Sequence, residues 1–298
     1  MAADPNLGAI LTAMATPFDS DGEVNERATR RLARHLVDNG CDGIVVSGTT
    51  GESPTLSDAE KLRVLDVVLD EVGDEASVIF GSGSNDTAHS VHLTTEGTYH
   101  GAHALLVVTP YYNKPQRAGI VGHVAAIAAV TERPIMLYNI PARCVVNLDP
   151  DLLSELGDID NVVAVKQANP DMDQARRIVA DGKLALYAGD DNLLLPFAEI
   201  GGAGGVCVSS HLFGVQMKEL YEAARRGDLE RAREIDDRLQ DAYQTLFMTV
   251  GVTMTKAALN LLGFEAGRVR LPLADATDDE RAAAQALLER HGLVASAA

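Results

Sequence analysis

Residues 161–171 read NVVAVKQANPD, so Lys166 follows directly on the apolar run 162–165. Burying an ammonium is costly, and lysine is among the residues least often found inside a protein. An amine held among apolar neighbours has its charged form disfavoured, which makes it a better nucleophile toward a carbonyl carbon. The same residue also fits a lysine whose stem lies along the strand while its head reaches solvent or a carboxylate. Taken alone, the two readings stand level. Elimination separates them. Of the six lysines, Lys61 and Lys218 fall on helical patterns, Lys114 in a polar loop, Lys256 in the C-terminal helical region and Lys183 just before a later strand. Lys166 alone sits where Schiff-base chemistry could use it.

Other short stretches carry groups that suit such an amine. LYNIPAR (137–143) offers the Tyr138 phenol, which can move protons, and the Arg143 guanidinium, which can grip a carboxylate with two hydrogen bonds. SGTTGES (47–53) combines glycines that allow close backbone approach with N–H and hydroxyl donors able to hold a carboxylate. VTPYYNKP (108–115) adds the adjacent Tyr111 and Tyr112. Ser57 and Glu60 have capping-box spacing, which marks the start of a helix. Each of these has a plain structural reading as a core tyrosine, a surface arginine or a turn glycine. Polar groups at four strand ends, Lys166 included, imply one common mouth.

Competing chemistries find less support. The pairs His89/His92 and His100/His103 have helical spacing but no convergent third ligand, so they read as solvated helix faces. GGAGG (201–205) precedes a strand instead of following one, so it reads as a tight turn, not a dinucleotide fingerprint. Cys41, Cys144 and Cys207 are too few and too scattered for a disulfide framework or a zinc site, and they suit a reducing cytoplasm.

The elements that must position these groups are legible as a pattern. Apolar β-type runs recur at 9–18, 43–48, 77–83, 103–110, 134–139, 162–166, 184–189 and 204–210, with amphipathic helical segments between them. Eight βα units in succession predict a (β/α)8 TIM barrel, an α/β fold whose active site lies at the C-terminal strand ends. Lys166 ends the sixth strand, Tyr138 the fifth. Beyond about residue 213 the β signal stops. Leu229, Ala232, Ile235, Leu239 and Tyr243 fall at helical spacing, and further helices are expected around 251–262 and 277–291. The expected division is therefore a catalytic barrel over 1–212 and a C-terminal helical appendage over 213–298.

Among the 298 residues, 25 Lys+Arg stand against 43 Asp+Glu, a formal charge of -18. That balance argues against nucleic acid and anionic membrane surfaces as partners. The opening MAADPNLG has neither a basic nor an apolar segment of a leader, and no apolar run reaches membrane-spanning length.

GTTGE, YN-P-R and the strand-six lysine, taken together over the whole chain, resemble the dihydrodipicolinate synthase/N-acetylneuraminate lyase family of pyruvate-dependent class I aldolases. The resemblance implies that Lys166 forms a Schiff base with pyruvate and that no metal or nucleotide cofactor is needed. It implies Tyr138, Thr50 and Tyr112 as a proton relay, with Tyr112 lent by a neighbouring subunit in a homotetramer built as a dimer of dimers. Thr49, Thr50 and the backbone near Val206 would hold the pyruvate carboxylate, with Gly189 at the mouth. Arg143 and YYNKP resemble the members that condense pyruvate with L-aspartate 4-semialdehyde, a reaction in which Arg143 would bind the aldehyde's carboxylate. Cys144 and KQANPD depart from that pattern and leave cleavage of a 2-keto-3-deoxy sugar acid as the alternative reaction. A non-catalytic pyruvate-binding barrel is the reading from outside enzymology. In lysine-regulated relatives the effector lies where this chain has Ser53, Pro54, Asp58, Lys61, Asn85, His89 and Tyr111. His89 in place of a glutamate, and Lys61 in place of a histidine, imply weak or absent feedback.

Overall fold

The computed structural model describes residues 6–295, so most of the opening segment read as lacking a leader lies outside the described residues. Among the described residues, the strands are β1 (Ile10–Ala13), β2 (Gly43–Val46), β3 (Ser77–Gly81), β4 (Ala104–Val108), β5 (Ile135–Asn139), β6 (Val162–Gln167), β7 (Ala185–Ala188) and β8 (Gly204–Cys207). They pair in parallel in sequence order, and β8 closes on β1. The (β/α)8 barrel expected from the sequence is present.

Helices α1 (Glu26–Asp38), α2 (Asp58–Val72), α3 (Thr87–Tyr99) and α4 (Arg117–Ala128) follow the first four strands. Two short helices, α5 (Pro141–Cys144) and α6 (Pro150–Leu156), follow β5; α7 (Met172–Asp181), α8 (Leu194–Glu199) and α9 (Ser210–Arg225) follow the remaining strands. The chain then adds α10 (Leu229–Leu246), α11 (Gly251–Leu261) and α12 (Asp278–Arg290). The Ser57–Glu60 capping box forms, with the Ser57 N–H donating to Glu60 Oε2 at 2.8 Å and the Glu60 N–H donating to Ser57 Oγ at 3.3 Å. It fixes where α2 begins, and hence where the loop after β2 must end.

Strand alternation sorts the apolar residues into two layers. Leu105, Val107, Ile135 and Leu137 pack outward against the helices, while Ala104, Leu106, Met136 and Tyr138 fill the barrel interior. On β6 the alternation is interrupted. Ile135 pairs with Val162 but Met136 pairs with Ala164, so the register slips by one residue between them. Val162 and Val165 join the outer layer, whereas Ala164 joins the inner one. Without this bulge, strict alternation from Val162 would turn Lys166 outward. With it, Lys166 lies on the same side as Ala164 and faces the interior.

Two sequence expectations need trimming. The first strand stops at Ala13 instead of continuing toward residue 18, where Pro17 has no N–H for the ladder. The eighth stops at Cys207 because the next two N–H groups, of Val208 and Ser209, go to the Asp191 carboxylate and not to a strand. A division at residue 212 would cut α9 at its kink, Phe213. Helix α9 packs on β1, α1 and α8, completing the outer ring, and it packs equally on α10, so barrel and appendage are continuous there. Among the described residues, no helix is long and apolar enough to cross a membrane.

Candidate active site

Tyr138 and Lys166 stand opposite each other in the β5–β6 ladder. Both are 5% exposed, and Lys166 Nζ lies 4.2 Å from the centre of the Tyr138 ring. A cation this close to an aromatic face is attracted by the ring's negative quadrupole, so the phenol both shelters and orients the amine. Asp190 and Asp191, in the loop after β7, lie within electrostatic reach of the same amine. Burial raises both carboxyls above their ordinary range, and the positive Lys166 opposes that shift. Asp191 is fully enclosed and accepts the N–H groups of Val208 (2.8 Å) and Ser209 (2.6 Å), which ties the ends of β7 and β8 together.

A cavity of ≈ 470 Å³ borders Tyr138, and Thr49, Arg143 and Cys144 are among its other lining residues. Lys166 is not among its lining residues; it lies against the Tyr138 ring. Arg143 is exposed on α5, and among the described residues no carboxylate lies within ion-pair distance of it. Its loop is held down from below. Asn139, at the end of β5, accepts the Leu148 N–H at 3.0 Å and donates to Asn147 Oδ1 (2.8 Å) and to Gln167 Oε1 (2.9 Å). The residue after the lysine therefore helps anchor the loop that carries the arginine.

The β2 loop is set by unusual backbone conformations. Ser47 (φ 55°) and Glu52 (φ 57°) both occupy the left-handed region, which is costly for residues other than glycine. Ser47 lines the cavity, and its buried hydroxyl has no hydrogen-bond partner among the described residues. Of the two threonines, Thr49 lines the cavity, whereas half-buried Thr50 does not. Gly189 lies against β6: its N–H donates to Gln167 O at 2.9 Å, and a Cβ there would come within 2.7 Å of the Ala168 nitrogen. Val206 is fully buried in the barrel interior, in register with Leu11. Tyr112 stands apart from the cavity in this single chain. It is 88% exposed and held at φ 74°.

The same cavity takes in Ser53, Pro54, Asp58, Lys61, Asn85, His89 and Tyr111. His89 Nε2 lies 3.0 Å from both Asp58 oxygens, and Lys61 Nζ lies 3.5 Å from Asp58. His100 pairs with Asp66, and His103 Nδ1 accepts the Val78 N–H. Among the described residues, no group of three or more His, Cys, Asp or Glu side chains converges in a metal-binding arrangement.

The site residues that sequence reasoning does not single out are Ser47, Asp190 and Asp191. The aspartates follow a strand C-terminus in YAGDDN (187–192), and that position is the one signal that points to them.

The chain matches the family model of the dihydrodipicolinate synthetase family over residues 6–291. A 4-hydroxy-tetrahydrodipicolinate synthase of Mycobacterium leprae (strain Br4923) is 50% identical over 274 residues, covering 92% of this chain and 91% of that protein. A crystal structure of a dihydrodipicolinate synthase from Bacillus anthracis superposes with a TM-score of 0.92 at 40% identity, covering 97% of this chain and 99% of that one. The chloride-inhibited enzyme of the same name from Acinetobacter baumannii, complexed with pyruvate, gives 0.94 at 31% identity over 97% and 100% of the two chains.

Proposed function

The chain belongs to the dihydrodipicolinate synthetase family, and from that premise we propose that it condenses pyruvate with L-aspartate 4-semialdehyde, giving 4-hydroxy-tetrahydrodipicolinate, on a Schiff base at Lys166. The observation that carries this reading is the inward-facing, enclosed Lys166 amine against the Tyr138 ring.

The Lys166 amine adds to the pyruvate ketone and water leaves, giving an iminium ion. Loss of a methyl proton yields the enamine, whose carbon attacks the aldehyde; the new alkoxide takes up a proton. The amino group of the semialdehyde then attacks the iminium carbon and expels Lys166 as the ring closes. Tyr138, whose ring lies against the amine, moves these protons. Thr49 lines the cavity with Tyr138 and Thr50 follows it in the same turn; the two serve the proton relay and the pyruvate carboxylate. Gly189, by its close approach to β6, leaves room at the mouth, and the backbone near Val206 completes the carboxylate site. The free guanidinium of Arg143 receives the carboxylate of the aldehyde substrate.

The exposed Tyr112 phenol serves a second copy of this chain across a dimer interface, and two such dimers form the tetramer. None of these steps calls for a metal or a nucleotide. The three cysteines are unpaired and buried, which suits work in the cytoplasm.

Turnover of pyruvate with aspartate semialdehyde, run beside cleavage of 2-keto-3-deoxygluconate, tests the reading. Efficient condensation with negligible sugar-acid cleavage is expected. The reverse pattern would move the chain to the sugar-acid aldolases, and pyruvate binding without either turnover would leave a ligand-binding barrel.

A further inference from the structure

The chain holds a second enclosed lysine that the condensation does not use. Lys256 on α11 is 2% exposed, and its Nζ lies 2.7 Å from Oε1 of Glu52, which is equally buried. The contact is an ion pair held by charge more than by a well-aligned hydrogen bond. Lys256 Nζ also donates to the Arg268 carbonyl at 2.8 Å and stands 4.0 Å from the centre of the Phe18 ring. Glu52 Oε2 accepts the Arg270 N–H at 2.8 Å, so both carboxylate oxygens are engaged from the C-terminal side of the molecule. Burial pushes Lys256 down to about 8 against the pull of Glu52, which leaves it charged at neutral pH.

Glu52 is also part of the GTTGE turn. Its backbone N–H donates to Thr49 O at 3.1 Å, and the following N–H, of Ser53, donates to Gly48 O at 3.2 Å. Those two bonds close the turn that presents Thr49 and Thr50. A left-handed glutamate costs backbone energy and persists only where its surroundings over-determine it. Here the surroundings come from the appendage. The Arg270 guanidinium grips the far side of the same loop, donating to Thr55 O at 2.8 Å and pairing with Glu60. An ion pair this deep adds little net stability over a well-packed apolar pair, whereas its geometry is exacting.

We propose that Lys256 is a positioning residue: through Glu52 it fixes the GTTGE turn, so that pyruvate affinity is set from the C-terminal appendage. The inference rests on the reading of Thr49 and Thr50 as pyruvate contacts.

Borohydride trapping of pyruvate on Lys166, followed by intact-protein mass against pyruvate concentration, provides the test and needs no aldehyde. Lys256→Met should raise the half-saturating pyruvate concentration about fivefold or more, the scale expected when one charge-assisted hydrogen bond to the ligand is weakened. The double variant Lys256→Met/Glu52→Gln removes the orphaned charge. It should recover thermal stability toward wild type while half-saturation stays raised. A merely structural pair would restore both together, and that outcome overturns the proposal, as does unchanged half-saturation in Lys256→Met. Should Lys256→Met fail to fold, the double variant decides alone: raised half-saturation supports the proposal and wild-type half-saturation overturns it. Absence of any pyruvyl label on the wild-type enzyme would instead overturn the Lys166 reading and this inference with it.

Discussion

Tyr138 and Lys166 face each other across the β5–β6 ladder because a one-residue bulge opposite Ile135 and Met136 reverses the side from which the lysine projects. The amine thereby enters the barrel and rests 4.2 Å from the centre of the phenol ring. Its enclosure keeps the amine from bulk solvent, and the ladder fixes its distance from the phenol ring.

Reduction of the pyruvate-treated enzyme with borohydride should add one pyruvyl group, and peptide mass should place it on Lys166. Lys183, by contrast, is engaged with Asp158 at 2.6 Å, and Lys256 with Glu52. Lys166→Ala should fold and lose nearly all turnover, since the covalent route has no substitute nucleophile. Label on another lysine would dismantle the assignment.

Arg143 has no carboxylate partner among the described residues and stands exposed on α5 at the cavity edge. Arg143→Ala should therefore leave the fold intact and raise KM for aspartate semialdehyde about tenfold to a hundredfold, the value of one charge-assisted hydrogen bond, with a much smaller effect on pyruvate. If the semialdehyde kinetics were unmoved while pyruvate KM rose, Arg143 would belong to the other substrate.

Much of this architecture is legible in the amino-acid sequence, and the reasons are local. Alternating apolar runs and helical stretches report a parallel barrel because each run is buried on both faces. A polar side chain at the end of such a run then reports the mouth. The inward direction of Lys166 is not legible, because VVAV is apolar throughout and carries no record of a register slip. Asp191 escapes the sequence for a related reason: its role is to bind the N–H groups of Val208 and Ser209, partners that depend on how neighbouring strands are placed. Lys256 reads only as part of the appendage. Its partner, Glu52, is about two hundred residues earlier, and no periodicity encodes that contact.

The Arg270–Glu60 pair ties the appendage to the first turn of α2, and both side chains are mostly buried. Hydrogen bonding to Arg270 is the main force that holds the Glu60 carboxyl down at about 2, against an ordinary value of 4.5. A carboxyl depressed in the folded state contributes stability that is fully present above pH 4.5 and is lost as pH falls through about 2. Glu60→Gln should thus cost about 2–3 kcal/mol at pH 7, measured by urea unfolding. The gap to wild type should narrow by about 1 kcal/mol at pH 3.5. A gap independent of pH would show that the pair's charge is not what matters.

L-Lysine should inhibit weakly or not at all. By resemblance, the effector of regulated relatives would lie in the part of the cavity lined by Ser53, Asp58, Lys61, Asn85, His89 and Tyr111. Such a ligand brings two ammonium groups and needs a free carboxylate. Asp58 is not free. Burial favours its neutral form, yet His89 at 3.0 Å and Lys61 at 3.5 Å together hold the carboxyl below its ordinary value. An incoming ammonium would have to displace His89 and settle beside the enclosed charge of Lys61. Removing one charge-assisted hydrogen bond costs about 1.5–3 kcal/mol, which moves a sub-millimolar site toward tens of millimolar. The measurement is an inhibition curve with L-lysine on the wild type and on His89→Glu. Half-inhibition of the wild type should lie above about a millimolar, a binding free energy weaker than about -4 kcal/mol. The glutamate variant, which supplies a second carboxylate opposite Asp58, should shift the curve to lower lysine. Tight inhibition of the wild type would mean that lysine outcompetes His89 for Asp58, contrary to the geometry.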